Sequence, residues 1–165
     1  MKFRKMMGVT AAFLCAALAL SGCGSTDETA YRIGIVQQDE HSSLDAATQG
    51  FEDKLMELLG EENVTFDYQN AQGEQANSTT IATKFVSDGC DLILANGTTA
   101  LQSAAAATAD IPIVGTSVTD YIAAGAVNSN EKPGTNVTGV SDLGEIKAQV
   151  DVLLTFCEPD TKIAV

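Results

Sequence analysis

The sequence predicts an α/β fold: an open, mostly parallel sheet with helices on both faces. Three observations carry that prediction. Short apolar runs bounded by turn residues alternate with longer stretches of helical periodicity, strand then helix, from Tyr31 to Phe156. The clearest strand-like run, Leu92 to Ala95 (LILA), is apolar throughout, as in a strand covered on both faces. Gly60 and Gly89 stand where two of the helical patterns stop. Repeated β-α-β units of this kind call for right-handed crossovers and a parallel sheet.

The N-terminus is read first. Lys2, Arg4 and Lys5 precede an apolar run from Met6 to Leu20, which breaks into Ser21-Gly22-Cys23-Gly24-Ser25. A charged start, a short apolar run and small residues at its end describe a secretory signal, and the run is too short and wrongly flanked for a membrane span. Leu20-Ser21-Gly22-Cys23 resembles the lipobox of bacterial lipoproteins, which implies cleavage before Cys23 and acylation of its thiol. Residues 24 to 30 are small and polar, a flexible tether between lipid and fold.

The body follows in order. Tyr31 to Gln37 is the first strand, and Leu44 to Leu59 a helix with Leu44, Ala47, Phe51, Leu55 and Leu58 on one face. Val64 to Tyr68 and roughly Gln75 to Asp88 repeat the pair. Leu92 to Ala95 is a central strand, and Thr98 to Ala109 an alanine-rich helix able to pack closely on the sheet. Ile111 to Thr116 and Val137 to Val140 are two further strands, the first with Pro112 near its start, where a missing donor is tolerated. The long segment between them has a helical turn around Tyr121 to Ala126. Glu145 to Phe156 is a helix, with Ile146, Val150, Leu153 and Leu154 as its apolar face. Thr161 to Val165 begins like another buried strand and then the sequence ends.

Composition narrows the function. With 22 acidic against 9 basic side chains the formal net charge is −13, and the basic residues are scattered singly apart from the three at the N-terminus. Nucleic acid, which needs a lysine or arginine footprint, is excluded as a partner. Anionic headgroups repel such a surface, so a lipid on Cys23 has to hold the protein to a membrane. Cys90 and Cys157, both in apolar patterns, are expected as buried free thiols.

In an open parallel sheet ligands bind beyond the carboxyl ends of the strands. The loops there are Gln37 to Asp45, Asn96-Gly97-Thr98-Thr99, Ser117-Val118-Thr119-Asp120 and Ser141-Asp142, rich in hydroxyl, amide and carboxylate groups and poor in cations. That chemistry suits a small polar solute. Asn96 to Thr99 lies where a helix starts, so backbone N–H groups can receive an anion there, with Thr98 as the expected N-cap. His41 and Asp45 stand at helical spacing, but no nucleophile can be assigned to them and one His is too few for a metal, so a loop histidine capping or lining a polar cleft is the plainer account. Gly115-Thr116-Ser117-Val118-Thr119 starts like a nucleophile elbow but lacks the second glycine. No cofactor, metal or catalytic group is expected.

The lipobox, YRIGIVQQDEHSSLD (31–45), DLILANGTTALQ (91–102), IPIVGTSVTD (111–120) and PGTNVTGVSDL (133–143), in this order and spacing, resemble the N-terminal half of substrate-binding lipoproteins of ABC importers, of the tryptophan/tyrosine type. The resemblance implies a type I periplasmic-binding-protein-like first lobe over residues 31–143, after a signal peptide (1–22) and a tether (23–30). Residues 144–165 are then the crossover helix and first strand of a second lobe that is largely missing. It further implies a monomeric extracytoplasmic receptor, anchored through Cys23 to the outer face of the cytoplasmic membrane or the periplasmic side of a membrane, that closes two lobes on a solute and delivers it to a membrane permease. First-lobe contacts would come from Gln37, His41, Leu44, Asp45, Asn96, Gly97, Thr98, Thr99, Ser117, Thr119, Asp120, Ser141 and Asp142. Backbone at Thr98 and Thr99 would take a ligand carboxylate and Asp120 or Asp142 its ammonium. One lobe alone cannot enclose a ligand, so millimolar affinity or none is expected of it. The family suggests an aromatic amino acid. The chain has no tryptophan and few loop aromatics besides Tyr121, which leaves an aliphatic amino acid or another small solute open. A sensory lipoprotein, and an exported enzyme with its catalytic groups in the other half, are the alternatives.

Overall fold

A computed structural model describes residues 30–158 and Lys162. The signal segment with Cys23, the tether up to residue 29 and the strand expected at 161–165 lie outside the described residues, Lys162 excepted. In chain order the elements are β1 (Tyr31–Gln37), α1 (Ser42–Leu59), a short 3-10 turn (Glu61–Asn63), β2 (Val64–Asn70), α2 (Gln75–Ser87), β3 (Leu92–Asn96), α3 (Thr98–Ala107), β4 (Ile113–Val118), β5 (Val137–Ser141) and α4 (Ile146–Leu154). The strands form one sheet in the order β2-β1-β3-β4-β5. Every pairing is parallel.

The apolar runs explain the layering. Ile33, Ile35 and Val36 of β1 and Ile93, Leu94 and Ala95 of β3 are all buried, because helices cover both faces at the sheet centre. On one face α1 lays Phe51 and Leu55 against Ile33, Ile35, Val64 and Leu94. On the other, α2 and α3 build the larger core, with Phe85 and Leu101 fully buried among Val36, Ile93, Ala95 and Ile113. Gly34 has to be glycine for this packing: a Cβ there would stand 2.6 Å from the Phe85 ring.

The structure moves several expected boundaries. Helix α1 starts two residues early, at Ser42, because His41 takes the N-cap position and its Nδ1 accepts the Ser43 N–H at 3.2 Å. Strand β4 excludes Ile111 and Pro112 and runs on to Val118, with a register irregularity between Gly115 and Val118. Ser117 is therefore inside the strand, at φ 55°, a left-handed conformation that a non-glycine residue rarely adopts. The helical turn expected near Tyr121 is present, closed by Ala124 N–H to Asp120 O and Ala126 N–H to Tyr121 O.

Helix α4 forms where its periodicity predicts, but none of its residues is buried, and Val152 and Leu154 are more than half exposed. Only Val137 of β5 is buried. Cys90 is a buried free thiol as expected, and burial pushes its pKa up. Cys157, also free, is half-buried, which corrects the expectation of two buried thiols: it follows a helix that has no buried residue.

Candidate ligand-binding site

Parallel pairing brings the carboxyl ends of all five strands to one edge, at Gln37, Asn70, Asn96, Val118 and Ser141. Gln37 and Asn96 are register partners on neighbouring strands, and both are fully buried. Two buried amides need partners, and the chain supplies them from α1. The Thr48 hydroxyl donates to Gln37 Oε1 at 2.8 Å and accepts from Asn96 Nδ2 at 3.0 Å. Asn96 Nδ2 also donates to Leu44 O at 2.8 Å, and Gln37 Nε2 to Asp39 O at 2.9 Å and Asp45 Oδ1 at 2.7 Å. Asn96 Oδ1 is buried with no partner. This network fastens the loop after β1 and the first turns of α1 to β3. Asp45 thus pairs with Gln37, and His41 spends its side chain on the cap, which agrees with the plainer account of that histidine.

A second cluster forms at the start of α3. Gly97, at φ 110°, is the N-cap, and no side chain caps from that position. Thr98 is the first helical residue, which corrects its expected role as cap. The capping oxygen comes from elsewhere: Gln38 Oε1 accepts the Thr99 N–H at 2.9 Å. Gly97 N–H donates to Thr116 O, tying the turn to β4.

The third cluster joins β4 and β5. Ser141 Oγ donates to Thr119 O at 2.7 Å and accepts from Leu143 N–H, while Asp142 N–H reaches Val118 O. Asp120 Oδ1 accepts the N–H groups of Ile122 and Ala123, both at 2.9 Å, so one carboxylate oxygen caps the following turn. Tyr121 lies over Gly115 and Gly139, where any Cβ would meet its hydroxyl, and donates to Val140 O at 3.0 Å. Burial, with the Asp142 charge added, pushes this phenol above its ordinary pKa, so it stays a donor.

Of the residues expected at the site, Gln37 and Asn96 are turned inward; Leu44, Thr99 and Ser117 are half-buried; and His41, Asp45, Thr98, Thr119, Asp120, Ser141 and Asp142 are exposed along the edge, with Gly97 buried at the turn. Sequence reasoning missed Thr48 and Gln38. Thr48 left a signal, a hydroxyl on the apolar stripe of α1; Gln38 left none, because its partner is 61 residues away. No lysine or arginine is among the hydrogen-bond partners given above. The edge combines exposed carboxylates with helix N–H groups, a pairing that suits a ligand carrying both an ammonium and a carboxylate. A separate cleft of about 260 Å³ beside β5, lined by Tyr121, Val127, Pro133 and Ser141 among others, does not reach Asn96 to Thr99. Among the described residues no group of three or more metal-ligating side chains comes together.

Comparison with known proteins bears on the fold and the family. A curated relative, the tyrosine-binding protein of Clostridioides difficile (strain R20291), is 39% identical over 99% of this chain and 52% of its own length. A ligand-free, open substrate-binding protein with adhesive properties from Clostridium difficile superposes with a TM-score of 0.72 at 44% identity, over 76% of this chain and 43% of that one. An ABC domain from Streptococcus pneumonia in complex with L-Trp gives 0.72 at 37% identity, over 75% and 42%. The chain spans about half the length of the curated relative it matches. Residues 32–164 match the family described as ABC transporter substrate binding protein, and with a parallel sheet whose strand ends gather polar groups at one edge, the chain belongs to that family.

Proposed function

We propose that this chain forms the first lobe of an extracytoplasmic solute receptor of an ABC importer, and that its ligand is a free amino acid, aromatic by preference. The observation that carries the reading is the pairing at the sheet edge: N–H groups at the start of α3 for a carboxylate, and the exposed carboxylates Asp120 and Asp142 for an ammonium. The tyrosine-binding relative and the L-Trp complex support the aromatic preference. Closure of a second lobe over this edge would shift the population to a form that a permease can read, with no covalent step. In this proposal Cys23 carries the lipid that keeps the monomeric receptor at the outer face of the membrane. The test is calorimetry of L-tyrosine and L-tryptophan on a protein carrying both lobes. Asp120→Ala should weaken binding about tenfold or more, as for a charged hydrogen bond lost at a closed site. Unchanged affinity in that variant removes Asp120 from the reading, and no binding of either amino acid refutes the aromatic ligand.

A further inference from the structure

The start of α3 is not open in this structure. Gln38 Oε1 sits on the Thr99 N–H at 2.9 Å, the amide where a ligand carboxylate would bind. The backbone on both sides of this contact is pinned: Gln38 N–H donates to Asn96 O at 2.9 Å, Gly73 N–H to Gln38 O at 2.8 Å, and Gly97 N–H to Thr116 O at 3.0 Å. Only the half-buried Gln38 side chain is left to move. Its fit is close, since a Cβ on Gly97 would stand 2.7 Å from both Gln38 Cβ and Oε1. Asn96, the last residue of β3, keeps a fully buried Oδ1 without a partner.

We propose that Gln38 is a specificity-determining residue of the site, a resident neutral competitor that holds the Thr99 amide until a carboxylate displaces it. The inference rests on the amino-acid reading above and adds a selection rule to it. A charged carboxylate makes the stronger hydrogen bond to an N–H at a helix start and wins the exchange, whereas a neutral carbonyl of a solute gains nothing over the glutamine amide. The site would therefore favour free acids over amides and esters of the same side chain.

The test uses a protein carrying both lobes, 15N-labelled, with the Thr99 amide as reporter and two probes, acetate and L-tyrosine. Gln38→Met keeps the stem against Gly97 and removes the acceptor; Gln38→Glu keeps the shape and adds a charge. Removal of one neutral hydrogen bond should tighten both probes about three- to tenfold in Gln38→Met, and Gln38→Glu should weaken them by a similar factor or more at pH 7. A purely structural cap would lower stability in Gln38→Met and leave both affinities where they were. If both probes bind wild type and Gln38→Met equally, or if neither probe perturbs Thr99 in any variant, the competitor role is overturned. If acetate follows the expected order but L-tyrosine does not bind, the role stands and the amino-acid reading fails. If L-tyrosine binds equally to all three proteins, the reading stands and the role fails.

Discussion

Thr48→Val removes one oxygen from the centre of the site and keeps the shape of the side chain. Thr48 is buried, and its hydroxyl serves two amides, donating to Gln37 Oε1 at 2.8 Å and accepting from Asn96 Nδ2 at 3.0 Å. After the substitution Asn96 Nδ2 retains Leu44 O at 2.8 Å, so that side is only weakened. Gln37 Oε1 is left with Asn96 Nδ2 at 3.4 Å, a poor contact for a fully buried oxygen. Two net hydrogen bonds at about 1 kcal/mol each, plus partial desolvation of Gln37, minus the gain of about 0.8 kcal/mol from a buried methyl, give a loss of about 1–2 kcal/mol. Urea unfolding followed by far-ultraviolet circular dichroism reads this as a lower midpoint at constant slope. Thr48→Ser keeps the hydroxyl and should lose only the methyl contribution, about 1 kcal/mol. Hydrogen exchange at Gly97 and Thr99 should accelerate in Thr48→Val and not in Thr48→Ser, because only the former weakens the hold on Asn96. A valine variant as stable as wild type would show that the network does not hold the loops, and with it would fall the account of how the edge is positioned.

Two further predictions concern the frame. Lys84, on α2, bridges Asp67 of β2 and Asp88, and its hydrogen bond, followed by that of Gln69, holds the Asp67 carboxyl below the usual carboxylate range. A lowered folded-state pKa contributes stability above the unfolded value, about pH 4, that is lost as pH falls through the folded value. Lys84 is raised by the same contacts, so its share persists through neutral pH and fades only in strong base. Lys84→Met should therefore flatten the fall in urea midpoint between pH 5 and pH 3, and an unchanged acid limb would discount the pair. Gly34→Ala should lower stability by about 1–3 kcal/mol, since the new Cβ meets the fully buried Phe85 ring at 2.6 Å and either the ring or β1 has to shift; a thermal midpoint equal to wild type would show slack in that core.

Local pattern was enough for the elements and not for the contacts between them. All five strands and four helices were legible because continuous apolar runs and helical stripes are properties of neighbouring residues, and β1 was placed at both ends. The start of β4 was misjudged because Pro112 tolerates several positions near a strand end, and only the partner carbonyl of Asn136, bonded to Ile113 N–H, decides it. Thr98 reads as a cap from its residue type and its place where a helix should start. The actual cap arrives from Gln38, in the loop after β1, and nothing near residue 98 encodes that. The exposed face of α4 was legible as apolar, yet apolarity says that a surface wants cover and not what covers it.

The site's alignment is itself a consequence of the core. Gln37 and Asn96 face each other because β1 and β3 are in register from Ile33 with Leu92 onward, and Ile35 with Leu94 and Val36 with Ala95 fix that register by burial. A slip of β1 by one residue would turn each of its side chains to the opposite face, sending its α1-facing set toward α2 and α3. It would also part Gln37 from Asn96 and carry Gln37 away from Thr48 on α1. The apolar residues that cannot touch a ligand thus set which polar groups meet at the edge. Polar residues at the last positions of β1 and β3 are then tolerated because one helix hydroxyl answers both amides. Substitutions at Ile35 or Leu94 would accordingly disturb the edge without altering a single residue on it.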